Sequence, residues 1–288
     1  MSSFQLTNKV TLGETSNFGP CLTTSNGSLA LVWAGTDGGF NLLVSTDGVK
    51  WENKRTFVSA LNSSPALGTG GSGLPAPSQF LAFRAQNSDL LLQQIQSSDE
   101  GSAAATGQST DYAPSVSSSY IAWTGHGNPQ LNVATCQVAS PDPGFIADGY
   151  IFRNTVSTES SDGAPSLCDF NGESLIGWRG AGNPNLNVAQ IQSGNIVNKV
   201  VLGDTSDLGP ALVSVGSSVF IAWTGLGNLE LNIMSSVNGY AAFGNKAVFT
   251  DSSASVPALA SYNNALFLAW RGNGNNNLNV ARVTGPGL

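Results

Sequence analysis

One histidine, His126, in a chain of 288 residues leaves no means of building a His-centred triad or a multi-histidine metal site. Three cysteines, Cys21, Cys136 and Cys168, show no CxxC spacing, so neither a disulfide framework nor a zinc centre is expected. Cys21 follows Pro20 where related segments carry a small residue, and it reads as an inert core thiol. Charged residues are only 10% of the chain, with 11 Lys and Arg against 18 Asp and Glu, and the cations are not clustered. Binding to nucleic acid or to an anionic membrane surface needs such clusters, so neither partner is expected. No apolar run approaches the roughly 18 residues of a membrane span. The first residues, MSSFQLTNKV, lack the basic and apolar regions of a signal peptide, and the chain is expected to be cytoplasmic or released without one. No stretch holds a helical period, and no cofactor-binding or metal-binding motif is present.

What the sequence has in abundance is repetition. WTGHGNPQLNVA starts at Trp123, WRGAGNPNLNVA at Trp178, WTGLGNLELNIM at Trp223 and WRGNGNNNLNVA at Trp270. Two eroded copies start at Trp33 (WAGTDGGFNLLV) and Phe83 (FRAQNSDLLLQQ). The six anchors are 50, 40, 55, 45 and 47 residues apart. A period of roughly 40 to 50 residues filled with short β-type segments is the signature of propeller blades.

Each unit divides into four strands. Pro20, Pro65, Pro114, Pro165, Pro210 and Pro257 mark the start of strand A, where proline removes no ladder bond. Strand B ends at the anchor, strand C follows the Gly-Asn turn, and strand D closes the unit. Asn8 to Pro20 repeats Asn198 to Pro210 with nine identities in thirteen positions, so the first segment is a strand D without its blade. The last unit stops in strand C. The expected fold is therefore an all-β, six-bladed propeller of four-stranded antiparallel blades, with the N-terminal strand closing the last blade. The expected organisation is one domain over 1–288: 1–13 as strand D of blade 6, then blades at 14–59, 60–108, 109–158, 159–203 and 204–250, and strands A to C of blade 6 at 251–288.

In such a blade the D-to-A and B-to-C loops share a face. Six residues before each proline stand Glu14, Ser59, Gln108, Glu159, Asp204 and Asp251; three before it stand Asn17, Asn62, Asp111, Asp162, Asp207 and Ala254. Polar loop residues repeated within one chain serve either turn geometry or a repeated ligand contact. The same alternatives apply to Asn128, Asn183, Asn228 and Asn275 in the turns. Trp123, Trp178, Trp223 and Trp270 are either core residues or partly exposed platforms. Asn132, Asn187, Asn232 and Asn279 in strand C read as hydrogen-bonded spacers. Arginine follows the anchor in blades 2, 4 and 6 only, as Arg84, Arg179 and Arg271, and is expected to pair locally.

The repeats resemble those of propeller lectins and of Asp-box sialidase-like propellers. STDGVKW, from Ser45 to Trp51, is similar to the Asp-box pattern Ser-x-Asp-x-Gly-x-x-Trp and is one residue shorter. The sialidase resemblance implies an arginine triad, for which Arg84, Arg179 and Arg271 stand as candidates, together with a Tyr–Glu pair and an acid. The Arg-Ile-Pro motif is missing, IFRN at Ile151 to Asn154 being the nearest text, and no Tyr–Glu pair stands out. A hydrolase needs one differentiated site with two cooperating carboxylates, and repetition runs against that, so no enzyme is expected.

The lectin resemblance implies a multivalent carbohydrate-binding protein. Its expected contacts are Trp123, Asn128, Trp178, Arg179, Asn183, Trp223, Asn228, Trp270, Arg271 and Asn275 with Glu14, Glu159, Asp204 and Asp251. Glycans or glycoconjugates are the expected partners. Blades 3 to 6 are expected to bind, with blades 1 and 2 weak because Asp37-Gly38-Gly39 replaces Gly-Asn in one and the tryptophan is lost in the other. The alternatives are a protein-interaction scaffold and, behind it, a sialidase-like glycoside hydrolase.

Overall fold

Strand B of blade 5, Ser218–Thr224, is a run of apolar residues rather than an alternation because both of its faces are covered. Val219, Ile221 and Trp223 pack on Leu175, Leu186 and Val188 of blade 4, while Phe220 and Ala222 pack on Leu266 and Leu268 of blade 6. The computed structural model describes residues 3–36, 38–57, 61–69, 79–95, 100–138 and 150–288. Among these, all regular structure is β: six four-stranded antiparallel sheets form a propeller. Blade 4 is typical, with strands A to D at Ser166–Phe170, Glu173–Arg179, Asn185–Gln192 and Asn195–Thr205 hydrogen-bonded in that order.

Six apolar clusters fill the six blade interfaces, and each anchor aromatic packs on the blade before its own. Trp33 meets Leu278 and Val280. Phe83 meets Val32 and Phe40. Trp123 meets Leu90 and Leu92, Trp178 meets Leu131 and Val133, and Trp270 meets Leu231 and Ile233. Strand D is the outer edge, and its residues are mostly exposed or half-buried, among them Asn198, Lys199 and Val201 in blade 4.

The ring closes as the sequence implies. Gln5–Thr15 pairs antiparallel with Asn277–Thr284, Leu6 opposite Val283 and Val10 opposite Val280. Phe4 is buried against Phe220, edge to face at 6.1 Å, and so ties the closing strand to blade 5 as well. Blade 2, the most eroded unit, still forms its outer strand at Glu100–Ser109.

The Asp-box-like segment is a self-bonded turn between strands C and D of blade 1. Ser45 Oγ accepts the N–H of Gly48 at 2.8 Å, and Asp47 Oδ1 accepts those of Val49 and Lys50, both at 2.8 Å. Trp51 then packs into the interface with blade 6. The segment lies on the face opposite the repeated loops and has a structural task. Both cysteines with described side chains are free; burial raises the Cys21 thiol to about 11 and pushes Cys168 higher still, consistent with inert core thiols. The side chain of Cys136 lies outside the described residues.

Candidate functional site

The Gly-x-Gly-Asn turn is explained by its own geometry. Asn128, Asn183, Asn228 and Asn275 are exposed, and each Oδ1 accepts the backbone N–H two residues on, at 2.9 to 3.1 Å. This Asx turn occupies the oxygen that a ligand would use. The turn is tied to the D-to-A loop of its own blade: Asp111 Oδ2 accepts the Gly127 N–H at 2.9 Å, and Asp162 Oδ2 accepts that of Gly182 at 2.7 Å. His126 Nδ1 lies 2.6 Å from Asp111 Oδ1. Although burial opposes it, the Gly127 and His126 hydrogen bonds hold the Asp111 carboxyl below its usual range. Ser16, Thr110, Ser161, Ser206 and Ser253, four before five of the six strand A prolines, are fully buried and accept the N–H two residues on. They hold the loop, and only their recurrence at one spacing signals it in the sequence.

The tryptophans correct the expectation of an aromatic platform. Trp123, Trp178, Trp223 and Trp270 are 0 to 1% exposed, because the preceding blade covers one face of each indole. In three of these blades, and over Trp33, a strand D lysine closes the rest. Lys9, Lys54, Lys199 and Lys246 place Nζ 5.3 to 5.7 Å from the ring centroids of Trp270, Trp33, Trp178 and Trp223.

Each of these lysines also reaches a carboxylate at the end of strand D in the preceding blade. Lys54 meets Glu14 at 2.6 Å and Lys199 meets Glu159 at 2.6 Å; Lys9 pairs with Asp251 and Lys246 with Asp204 in the same way. Thus four of the predicted site residues, Glu14, Glu159, Asp204 and Asp251, converge on lysines that lie outside the repeated turn and loop motifs. The signal was the dipeptide Asn-Lys, which occurs at Asn8, Asn53, Asn198 and Asn245. All four asparagines have φ between 51° and 56° and sit at breaks in the strand C to D register. A bulge with a left-handed residue re-aims the next side chain, here the lysine. Blade 3 has Asn154 in that position, bonded to Gln108 at 3.3 Å, and blade 2 has Ala103. Ser59 lies outside the described residues, as does Asp37. The lysine–carboxylate pair therefore belongs to blades 1, 4, 5 and 6, a different set from blades 3 to 6 marked by the turn motif.

The arginines pair locally. Arg84 donates to the Asn62 carbonyl at 2.8 Å, Arg179 to those of Ser206 (2.8 Å) and Asp162 (3.3 Å), and Arg271 to that of Ala254 (3.0 Å). Of the three, only Arg84 lines the axial funnel of about 260 Å³ on this face, beside Asn62, Asp111, Tyr112, Asp162 and Asp207. A second axial cavity, of about 400 Å³, is lined by the prolines and the strand A residues that follow them.

Neither a family model nor a curated protein matches this chain. Solved structures match its fold. A Trypanosoma rangeli sialidase in complex with 2,3-difluorosialic acid superposes with a TM-score of 0.62 at 11% identity, over 98% of this chain and 59% of that one. A variant of AofleA from Arthrobotrys oligospora with three arginines replaced by alanine gives 0.63 at 9%, over 100% and 88%. A putative oxidoreductase (glucose dehydrogenase) from Thermus thermophilus gives 0.58 at 13%, over 97% and 100%. The chain spans about three fifths of the trypanosomal sialidase. The resemblance to sialidase-like propellers thus holds at the level of fold. The expectation that the chain is no enzyme is corrected: sialidases and an oxidoreductase share this architecture, so neither the fold nor its repetition gives ground for denying catalysis.

Proposed function

We propose that this chain is a multivalent carbohydrate-binding protein whose sites are the clefts at the mouths of the blade interfaces, on the face of the D-to-A and B-to-C loops. The observation that carries this reading is the recurrence of one ammonium–carboxylate pair over a buried indole at four interfaces. The lysines are 36 to 43% exposed and the acids 20 to 27%, so both remain within reach of a ligand. A sugar hydroxyl both donates and accepts, and adjacent hydroxyls can take a hydrogen bond from Nζ while donating to the carboxylate. Sites repeated round a ring favour surfaces that present many glycans, where avidity multiplies weak affinities by about 100-fold or more.

The test is a glycan array probed with the wild type and with a Lys9→Met, Lys54→Met, Lys199→Met, Lys246→Met variant whose melting curve is recorded alongside. Binding that is lost in the folded variant supports the reading. No glycan bound by the wild type, or equal binding by both, rejects it.

A further inference from the structure

The strand C asparagine behaves alike in blades 3 to 6 up to one atom. Asn132, Asn187, Asn232 and Asn279 each donate Nδ2–H to the backbone carbonyl two residues before, at 2.8 to 3.1 Å. That leaves Oδ1 directed across the ladder towards strand D, and what meets it there differs from blade to blade. In blade 6 Thr11 Oγ1 donates to Asn279 Oδ1 at 2.7 Å, and in blade 1 Thr56 Oγ1 donates to Asn41 Oδ1 at 2.8 Å. In blade 3 Asn154 Nδ2 donates to Asn132 Oδ1 at 3.1 Å. In blades 4 and 5 the cross-strand partners are Val201 and Val248, which have nothing to donate. Among the described residues no group donates to Asn187 Oδ1 or Asn232 Oδ1, although these residues are only 3% and 4% exposed. Neither oxygen is among the buried side-chain atoms left without a partner, so each stays open to solvent and to a donor from a ligand.

The surroundings of these two oxygens are equally specific. Val201 and Val248 are 56% and 52% exposed, on the strand face that also carries Lys199 and Lys246 two residues earlier. Each lysine is matched by one carboxylate, Glu159 or Asp204, so the cleft has no spare cation. The chain as a whole carries a formal charge of -7. An anionic ligand would meet repulsion without a compensating ion pair.

Resting on the carbohydrate-binding reading, we infer that the clefts of blades 4 and 5 are the two open sites of the ring and that they take a neutral saccharide. One hydroxyl donates to Asn187 or Asn232 Oδ1, the C–H face of the ring lies on the valine methyls, and neighbouring hydroxyls bridge the lysine and the carboxylate. In blades 6, 1 and 3 the protein's own threonine or asparagine already fills the acceptor. Blade 2 has Leu91 at the asparagine position and offers none.

The experiment is native mass spectrometry and calorimetry on the full chain. The probes are methyl glycosides of the common neutral hexoses, N-acetylhexosamines and 6-deoxyhexoses, with the methyl glycoside of N-acetylneuraminic acid in parallel. Two equivalents of a neutral glycoside are expected. Val201→Thr should leave one, and the double Val201→Thr, Val248→Thr variant should bind at least about tenfold more weakly, since a hydrogen bond in each site is then made internally. Thr56→Val should open a third site in blade 1. Each substitution installs a residue that another blade carries at the same place, and unchanged melting excludes unfolding as the cause. Four or more equivalents in the wild type, or a count that the valine substitutions leave unmoved, overturns the inference and leaves the carbohydrate reading standing. Preference for the sialoside overturns the neutral specificity. No binding to any of these probes or to arrayed glycans removes both.

Discussion

Gly180 and Gly182 stand two apart in the B-to-C turn of blade 4 and are needed for different reasons. A Cβ on Gly180 would lie 2.8 Å from Asn183 Oδ1, the atom that closes the turn, whereas Gly182 has φ +70°, a conformation that a side chain strains. Alanine at either position should cost about 1 to 3 kcal/mol in urea unfolding. Asn183→Ala should cost less, about 0.5 to 1.5 kcal/mol, because only one hydrogen bond is removed. Asp111 adds a pH dependence of definite sign. Its carboxyl is held below the usual range in the folded state, so its contribution is full above an unfolded value of about 3.9 and is lost as pH falls through the folded value. Asp111→Asn should therefore be less stable than wild type at pH 7, with the difference shrinking in acid; a difference independent of pH would overturn this. The Asx turn itself was legible as one of two alternatives because its glycines and asparagine lie within six residues, whereas its tie to Asp111 or Asp162 spans 16 to 20 residues and was not. The burial of the tryptophans was not, because alternation gives the face an indole leaves by, while the lysine that lids it belongs to another strand.

At the scale of the element, the closing strand Gln5–Thr15 does more than complete a sheet. Every lysine-bearing outer strand reaches back to the preceding blade through that lysine, and the acid five residues on reaches forward where the next blade has a lysine. The closing strand has both: Lys9 pairs with Asp251 of blade 5 and Glu14 with Lys54 of blade 1, so one strand links three blades. The repeat of NKV..LG.TS..GP announced that the strand belongs in blade 6, and the pairing bears that out. Its cross-blade bonds were harder to read, since Lys54 and Glu14 are 40 residues apart and meet only once two blades are placed side by side. Phe4→Ala removes a buried ring and should cost about 3 to 5 kcal/mol, lowering the melting temperature by roughly 10 °C. Deleting residues 2–13 should lower it further and broaden the transition. An unchanged melting curve after that deletion would mean that the ring closes by other means.

Over the whole molecule the six interfaces are unequal. The interfaces entering blades 4, 5, 6 and 1 combine a buried tryptophan with a lysine–carboxylate latch. The interface entering blade 3 has a neutral amide pair, and the one entering blade 2 has Phe83 with Ala103 at the lysine position. A latch of this exposure is worth only about 0.2 to 1 kcal/mol, too little to decide whether the ring folds. It is enough to decide where the ring opens, because local opening draws on small differences between neighbouring units. The inner strands point the same way. Those of blades 2 and 3 are Ala66–Thr69 and Ser115–Val116, of four and two residues, against five in each of the other blades. In hydrogen exchange followed by mass spectrometry, amides of Ala66–Thr69 and Ser115–Val116 should therefore exchange before those of Ser166–Phe170, Ala211–Val215 and Ala258–Tyr262. Raising the salt concentration should weaken protection at the latched interfaces more than at the interface entering blade 2, whose apolar cluster is unaffected by screening. Uniform exchange round the ring, or earliest exchange at the junction of blades 6 and 1, would instead make the closing strand the weak seam. If the order holds, the ring opens at blades 2 and 3: the cleft of blade 5, between Lys246 and Asp204, keeps its geometry, while that of blade 4 borders the opening blade through Glu159 and loosens first.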